Sequence, residues 1–181
     1  DPHRFGLSER RVQLEGEAFF NIESNNLGPF IVEINKNAEI QVLGTQFNVS
    51  AYEDSDDIDI TLINGCIQFS DELQTITLNP NECLNYDKNT KEISVRQIGD
   101  ANQNLLWMEN ILVFRDAPLM DVLSTLERNY NVTFQISNEV VKSYSYSLKA
   151  TTDEPIEGIL KDMESISCIR FQKQGKHYIV K

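Results

Sequence analysis

The chain is short of nearly everything that catalysis, metal binding or membrane crossing requires. It holds two histidines in 181 residues, His3 near the start and His177 close to the end. A Ser-His-Asp or Cys-His arrangement needs one of them as its base, and a histidine at a chain end or in a terminal strand is ordinarily a surface residue. No G-x-S-x-G, P-loop or G-x-G-x-x-G run occurs. The three cysteines, Cys66, Cys83 and Cys168, fit neither C-x-x-C nor a zinc-ligand spacing. No stretch approaches the roughly 18 consecutive apolar residues of a membrane-spanning helix. No signal peptide opens the sequence either, and its start at Asp1-Pro2-His3 reads as a cut from something longer.

Positive charge is also scarce. Sixteen Lys and Arg stand against 28 Asp and Glu, a formal net charge of −12. That balance opposes phosphate-backbone binding, which depends on basic side chains, and docking on an anionic membrane surface. No basic run offsets it, so nucleic acid is not an expected partner. Apolar residues at 40% and charged residues at 24% are ordinary for a globular protein. The length suffices for one large or two small cores.

Two acidic groups invite a chemical reading. Asp54-Ser55-Asp56-Asp57-Ile58-Asp59 offers hard oxygen ligands for calcium, but the EF-hand pattern fails. Counted from Asp54, its sixth residue is Asp59 rather than Gly, and its twelfth is Gly65 rather than Glu. A solvated hairpin tip fits better. Glu15 and Glu17 share a parity and form a candidate carboxylate pair, although the exposed face of a strand explains them more simply. No catalytic residue, cofactor or metal site is expected.

What the sequence does have is alternation. Val12, Leu14, Gly16, Ala18, Phe20 and Ile22 fall on one parity; Gln13, Glu15, Glu17, Asn21 and Glu23 fall on the other, the period of a half-buried strand. Phe19 sits on the polar parity and is expected to cover a second face or to meet the other domain. Phe30, Val32 and Ile34 alternate after a Gly28-Pro29 turn. Ile40 and Val42 then give way to Phe47, Val49 and Ala51 on the opposite parity. The slip, at Leu43-Gly44, reads as a bulge or sharp bend. A second slip separates Ile58, Ile60 and Leu62 from Ile63, Ile67 and Phe69. Short strands follow at 76–78, 83–86 and 93–95. Cys66 and Cys83 are out of phase with their apolar neighbours, which puts both on the less buried face, as two free thiols or a disulfide. Gly16 and Gly44 read as architectural positions where another chain segment approaches closely.

The polar stretch 99–104 marks a boundary, beyond which the pattern repeats itself. Pro118 and Pro155 stand 37 residues apart, and the same spacing links Leu119 to Ile156, Val122 to Ile159, Leu123 to Leu160 and Leu126 to Met163. It also links Val132 to Ile169 and Phe134 to Phe171. Each copy reads as strand, helix, strand, with the helices on one face of a small sheet. Asp116 or Ala117 is the expected N-cap of the first helix, with Pro118 in its first turn. The expected fold is thus a mainly β, roll- or sandwich-like domain over 1–100, then a small α+β domain of two strand-helix-strand repeats over 101–181. Tyr144, Tyr146 and Leu148 form one face of a strand whose other face is serine. They are the candidate protein interface, with the strand at a sheet edge that accepts a partner strand. An internal strand with a partly buried tyrosine face is the alternative. Trp107 opens the second domain and is read as a packing residue.

Leu14-Glu15-Gly16-Glu17-Ala18-Phe19-Phe20 and Val42-Leu43-Gly44-Thr45-Gln46-Phe47-Asn48-Val49 resemble the FecR-type transmembrane signal-transducer family. The stretch Trp107 to Val132, with Ile111-Leu112-Val113-Phe114, Pro118-Leu119 and Leu126-Glu127-Arg128, resembles the module found behind that domain, itself similar to the signalling domains of secretins and TonB-dependent receptors. The resemblance implies the periplasmic part of an inner-membrane anti-sigma regulator. Its implied partner is the signalling domain of a TonB-dependent receptor, and its output an extracytoplasmic-function sigma factor. The sigma factor and the membrane would be reached only through a cytoplasmic region and a membrane helix outside this sequence. The family's first β segment, ahead of the Leu14 run, is expected to be missing as well. Two other readings remain: a periplasmic carbohydrate-binding or carbohydrate-processing β domain, with Glu15 and Glu17 in an aromatic-lined groove, and a secretin-like ring subunit.

Overall fold

The computed structural model describes residues 10–25, 28–35, 38–137, 141 and 143–181. His3 and the rest of the opening segment lie outside them. The chain divides into two compact units, Asp1–Leu105 and Leu106–Lys181. The first is all β and the second α+β, the class that the alternation and the repeat indicate.

The first unit has ten strands: β1 (Arg10–Gln13), β2 (Gly16–Ile22), β3 (Phe30–Asn35), β4 (Ala38–Val42), β5 (Thr45–Ala51), β6 (Asp57–Asn64), β7 (Ile67–Asp71), β8 (Thr75–Leu78), β9 (Glu82–Asp87) and β10 (Ile93–Gln97). They form two five-stranded sheets, ordered β1-β3-β4-β7-β8 and β10-β9-β6-β5-β2. One core joins the inner faces, with Val32, Ile40, Ile67 and Phe69 from the first sheet and Phe47, Val49, Ile60 and Leu84 from the second. Phe69 meets Tyr86 across it, ring centroids 5.4 Å apart. Fully burying side chains of this size stabilises a fold by about 1.5–3 kcal/mol each.

Both parity slips mark a change of sheet. At Leu43-Gly44 the chain leaves β4 in the first sheet and enters β5 in the second; at Gly65-Cys66 it passes back from β6 to β7. The bulge or sharp bend expected at Leu43-Gly44 is a corner between strands, and a register shift that leaves Ile63 unpaired precedes the second corner. The two corners meet. A Cβ on Gly65 would lie 2.6 Å from the Gly44 carbonyl oxygen, and one on Gly44 would lie 2.6 Å from Ser24 Cβ. Gly65 also has φ +99°, a conformation that only glycine adopts freely. The opening run hides a third crossing. It breaks into β1, paired parallel to β3, and β2, paired antiparallel to β5. Alternation continues through this corner, so spacing alone shows one strand; the break falls just before Gly16, at φ +96°.

In the second unit, β11 (Ile111–Pro118), α1 (Leu119–Tyr130) and β12 (Thr133–Ile136) form the first repeat. Strand β13 (Ser145–Thr151), α2 (Ile156–Ile166) and β14 (Phe171–Gln174) form the second, and β15 (His177–Val180) closes the chain. The buried residues of α1 are Leu119, Val122, Leu123 and Leu126, and those of α2 are Ile156, Ile159, Leu160 and Met163. All four pairs obey the repeat. Two sheets replace the single one expected: β11 pairs antiparallel with β13, while β15 inserts between β12 and β14. Both helices start from proline. Pro118 and Pro155 are the N-caps themselves, extended at ψ 144° and 140°, with no side-chain cap bond. Asp116, an expected cap, instead lies at φ 49° inside an irregularity of the β11–β13 ladder between Phe114 and Ala117.

The repeat extends to a pair of carboxylates that the apolar pattern does not contain. Phe134 N–H donates to Glu127 Oε1 at 2.6 Å, and Phe171 N–H donates to Glu164 Oε1 at 2.7 Å. Each glutamate lies in its helix's last turn and ties it to the following strand. The two phenylalanine rings then pack edge to face at 5.9 Å.

Candidate interaction surface

The interface candidates on β13 separate into side chains that face inward and main chain that faces outward. Tyr146 is 2% exposed, and its hydroxyl donates to Ser167 Oγ at 2.8 Å; burial pushes the phenol's pKa up. Tyr144 and Leu148 pack against the same core. Tyr146 is thus a core residue, while Tyr144 and Leu148 are half-buried at the rim of that core.

The edge itself is present, carried by the intervening residues. Thr152 N–H donates to the Asn110 carbonyl and Leu119 N–H to the Tyr144 carbonyl. Antiparallel pairing alternates from those anchors, so residues 144, 146, 148 and 150 turn their main chain toward β11. Ser145, Ser147 and Lys149 turn theirs away from it, and all three side chains are exposed. Strand β11 is blunted by the ladder irregularity at Arg115-Asp116, a device that discourages edge pairing. Asp116 N–H donates to Ser147 Oγ and Ser145 Oγ donates to Asp116 Oδ1, which pins β13 straight beside that irregularity. Of the two strands, β13 is the regular edge.

Elsewhere the surface is occupied by structure. Glu17 accepts from Asn48 Nδ2 at 2.8 Å and from the Tyr52 hydroxyl at 3.4 Å, while Glu15 is exposed ahead of β2. The acidic loop after β5 is tied down by the β9–β10 hairpin: Lys88 Nζ donates to the Tyr52 carbonyl, and Asn89 Nδ2 to Asp56 Oδ1. Among the described residues no group of three or more His, Cys, Asp and Glu is placed to hold a metal. Cys66, Cys83 and Cys168 are free thiols. Cys83 does face away from the core, as its phase indicates, but it is 1% exposed rather than less buried. Phe19 is half-buried on the same outer face. On the other unit, Glu157 accepts hydrogen bonds from Lys173 and the Tyr178 hydroxyl, and the Lys173 ammonium first of all holds its carboxyl down at about 2. Trp107 and Met108 are exposed at 36% and 54%.

Residues 2–68 match the family model described as FecR protein, and residues 111–180 match FecR, C-terminal. The chain belongs to the FecR family. The first match contains the corners at Gly16, Gly44 and Gly65, and the second contains both strand-helix-strand copies. Two crystal structures of a candidate anti-sigma factor from Parabacteroides distasonis ATCC 8503 superpose on the FecR chain with TM-scores of 0.87 and 0.86. Each is 28% identical over 96% of this chain and 80% of that one. No curated protein matches the chain. The FecR family is one of membrane-anchored regulators. No helix among the described residues is long and apolar enough to cross a membrane.

Proposed function

We propose that this FecR chain is the periplasmic, signal-sensing part of an inner-membrane anti-sigma regulator, and that it acts by binding rather than by catalysis. It docks the signalling domain of a TonB-dependent receptor and passes the receptor's state inward to an extracytoplasmic-function sigma factor. The observation that carries the reading is the order of the two family matches, FecR then FecR C-terminal, on a chain whose second unit offers the regular edge β13. The partner strand adds to that edge through the main chain of Ser145, Ser147 and Lys149, so recognition needs no titrating side chain. The cytoplasmic and membrane parts that reach the sigma factor lie outside this sequence.

Calorimetric titration with the signalling domain of the receptor encoded beside this gene tests the reading. The expected result is saturable binding that Lys149→Pro weakens at least about tenfold, a loss of about 1.4 kcal/mol. Lys149 N–H points away from β11, where proline is tolerated, so the fold should survive. Absence of heat and of co-elution at micromolar concentrations would overturn the assignment.

A further inference from the structure

The polar stretch 99–104 that reads as a domain boundary leads into an ordered strap. Residues Ala101–Glu109 form one continuous 3₁₀ segment. Runs of this helix beyond three or four residues are uncommon, because its hydrogen-bond geometry is poor. The segment runs across the boundary between Leu105 and Leu106 where the two units divide.

Its first half is fastened to the outer face of the second sheet. Ala101 is fully buried, and its N–H reaches Asn81 Oδ1 at 3.4 Å. Ile98 N–H donates to the Asn81 carbonyl, and Asn81 sits at φ 64° to present both groups. Asn104 Nδ2 donates to Thr61 Oγ1 at 2.7 Å across 43 residues of sequence. Thr61 and Cys83 are cross-strand neighbours on β6 and β9, facing away from the core, yet they are only 2% and 1% exposed. Thr61 Oγ1 lies 3.6 Å from Cys83 Sγ, and Arg96 Nη2 lies 3.9 Å from it. An outward-facing Thr-Cys pair is this dry only because something lies over it, and the strap is what reaches Thr61. The fastening combines the buried Ala101 with polar bonds from Asn81 and Asn104, and Leu105 and Leu106 behind them are half-buried. The second half of the strap, from Trp107 to Glu109, is exposed.

We infer that residues 101–109 are a releasable strap, docked on Thr61 in this structure and able to peel from the β6–β9 face while the sandwich stays folded. Release changes the length of the connector. A 3₁₀ segment rises about 2.0 Å per residue and extended chain about 3.3 Å, so nine residues gain about 12 Å of reach. It also uncovers the Cys83 thiol, whose pKa burial now pushes up and whose reactivity is correspondingly low. The strap is distinct from the β13 edge and does not depend on the identity of the partner.

Thiol labelling of the full chain tests this. With Cys66→Ser and Cys168→Ser, Cys83 is the one remaining thiol, and iodoacetamide reports each opening. The expected result is slow labelling in native buffer whose rate barely changes over low urea concentrations, the signature of local opening. Asn104→Ala should speed it about five- to tenfold, the loss of one hydrogen bond on the docked strap, with the unfolding midpoint of the sandwich nearly unchanged. The inference is overturned if Asn104→Ala leaves the rate unchanged. It is equally overturned if labelling in both chains rises with urea in step with global unfolding, for then Cys83 is uncovered only when the sandwich unfolds.

Discussion

The two units solve the problem of closing a small core in opposite ways. The N-terminal unit passes its chain repeatedly between two sheets and seals the crossings with corners so tight that Gly44 and Gly65 touch. The C-terminal unit repeats one strand-helix-strand motif and joins the copies through their first strands, which leaves β13 an edge. The first arrangement is intolerant of added atoms at its corners, and its two sheets end in the edge strands β1, β8, β10 and β2. The second tolerates change at its rim, and its two-stranded sheet leaves β13 as a regular edge beside the irregular β11. We propose that in this FecR chain the sandwich is the scaffold and the repeat is the contact.

The strongest way to sharpen that contrast is to overfill a corner. Gly65→Ala places a Cβ against the Gly44 carbonyl at a left-handed φ and should destabilise the first unit by about 3 kcal/mol. Calorimetry should show the loss in one transition, with partner binding unchanged at temperatures where the chain is folded. The second unit should respond symmetrically. Glu127→Ala and Glu164→Ala each orphan the N–H of a phenylalanine that starts or follows into a strand, at about 1–2 kcal/mol apiece. Chemical denaturation that finds one costly and the other silent would break the equivalence of the repeats.

The smallest expected effect is electrostatic. Glu157 titrates at about 2 when folded, below its ordinary 4.5, because Lys173 and Tyr178 donate to it. A depressed carboxylate stabilises the fold above its unfolded pKa, and that stabilisation fades as pH falls from 4.5 through about 2. The pair is half-exposed, so salt screens it and the contribution is small. Glu157→Gln should flatten the acid limb of the second unit's stability curve in that window and leave neutral-pH stability almost unaltered.

Much of this architecture is legible before folding, for identifiable reasons. Period-two alternation located the strands because one side of each faces a continuous core. The 37-residue spacing located both helices, since Leu119, Val122, Leu123 and Leu126 and their counterparts must all face inward. What escaped was information that spacing does not hold. A bulge and a crossing to the opposite sheet both shift parity by one, so Leu43-Gly44 could not be told apart from an irregular strand. Cys83 looked solvent-facing because the residues that cover Thr61 beside it come from 101–104, a stretch whose polar letters read as a domain boundary. Glu127 and Glu164 were invisible to an apolar repeat, although their 37-residue spacing was there to find. The β13 edge was legible, but alternation assigned it to the tyrosines, whereas the outward main chain belongs to the residues between them.

The central claim is that binding lies on the repeat and not on the sandwich. Amide chemical-shift mapping of the intact chain, titrated with the receptor's signalling domain, tests it directly. The account predicts the largest changes at Ser145, Ser147 and Lys149, with the amides of β5 and β6 unmoved. Changes centred on the sandwich sheets, with β13 silent, would contradict it.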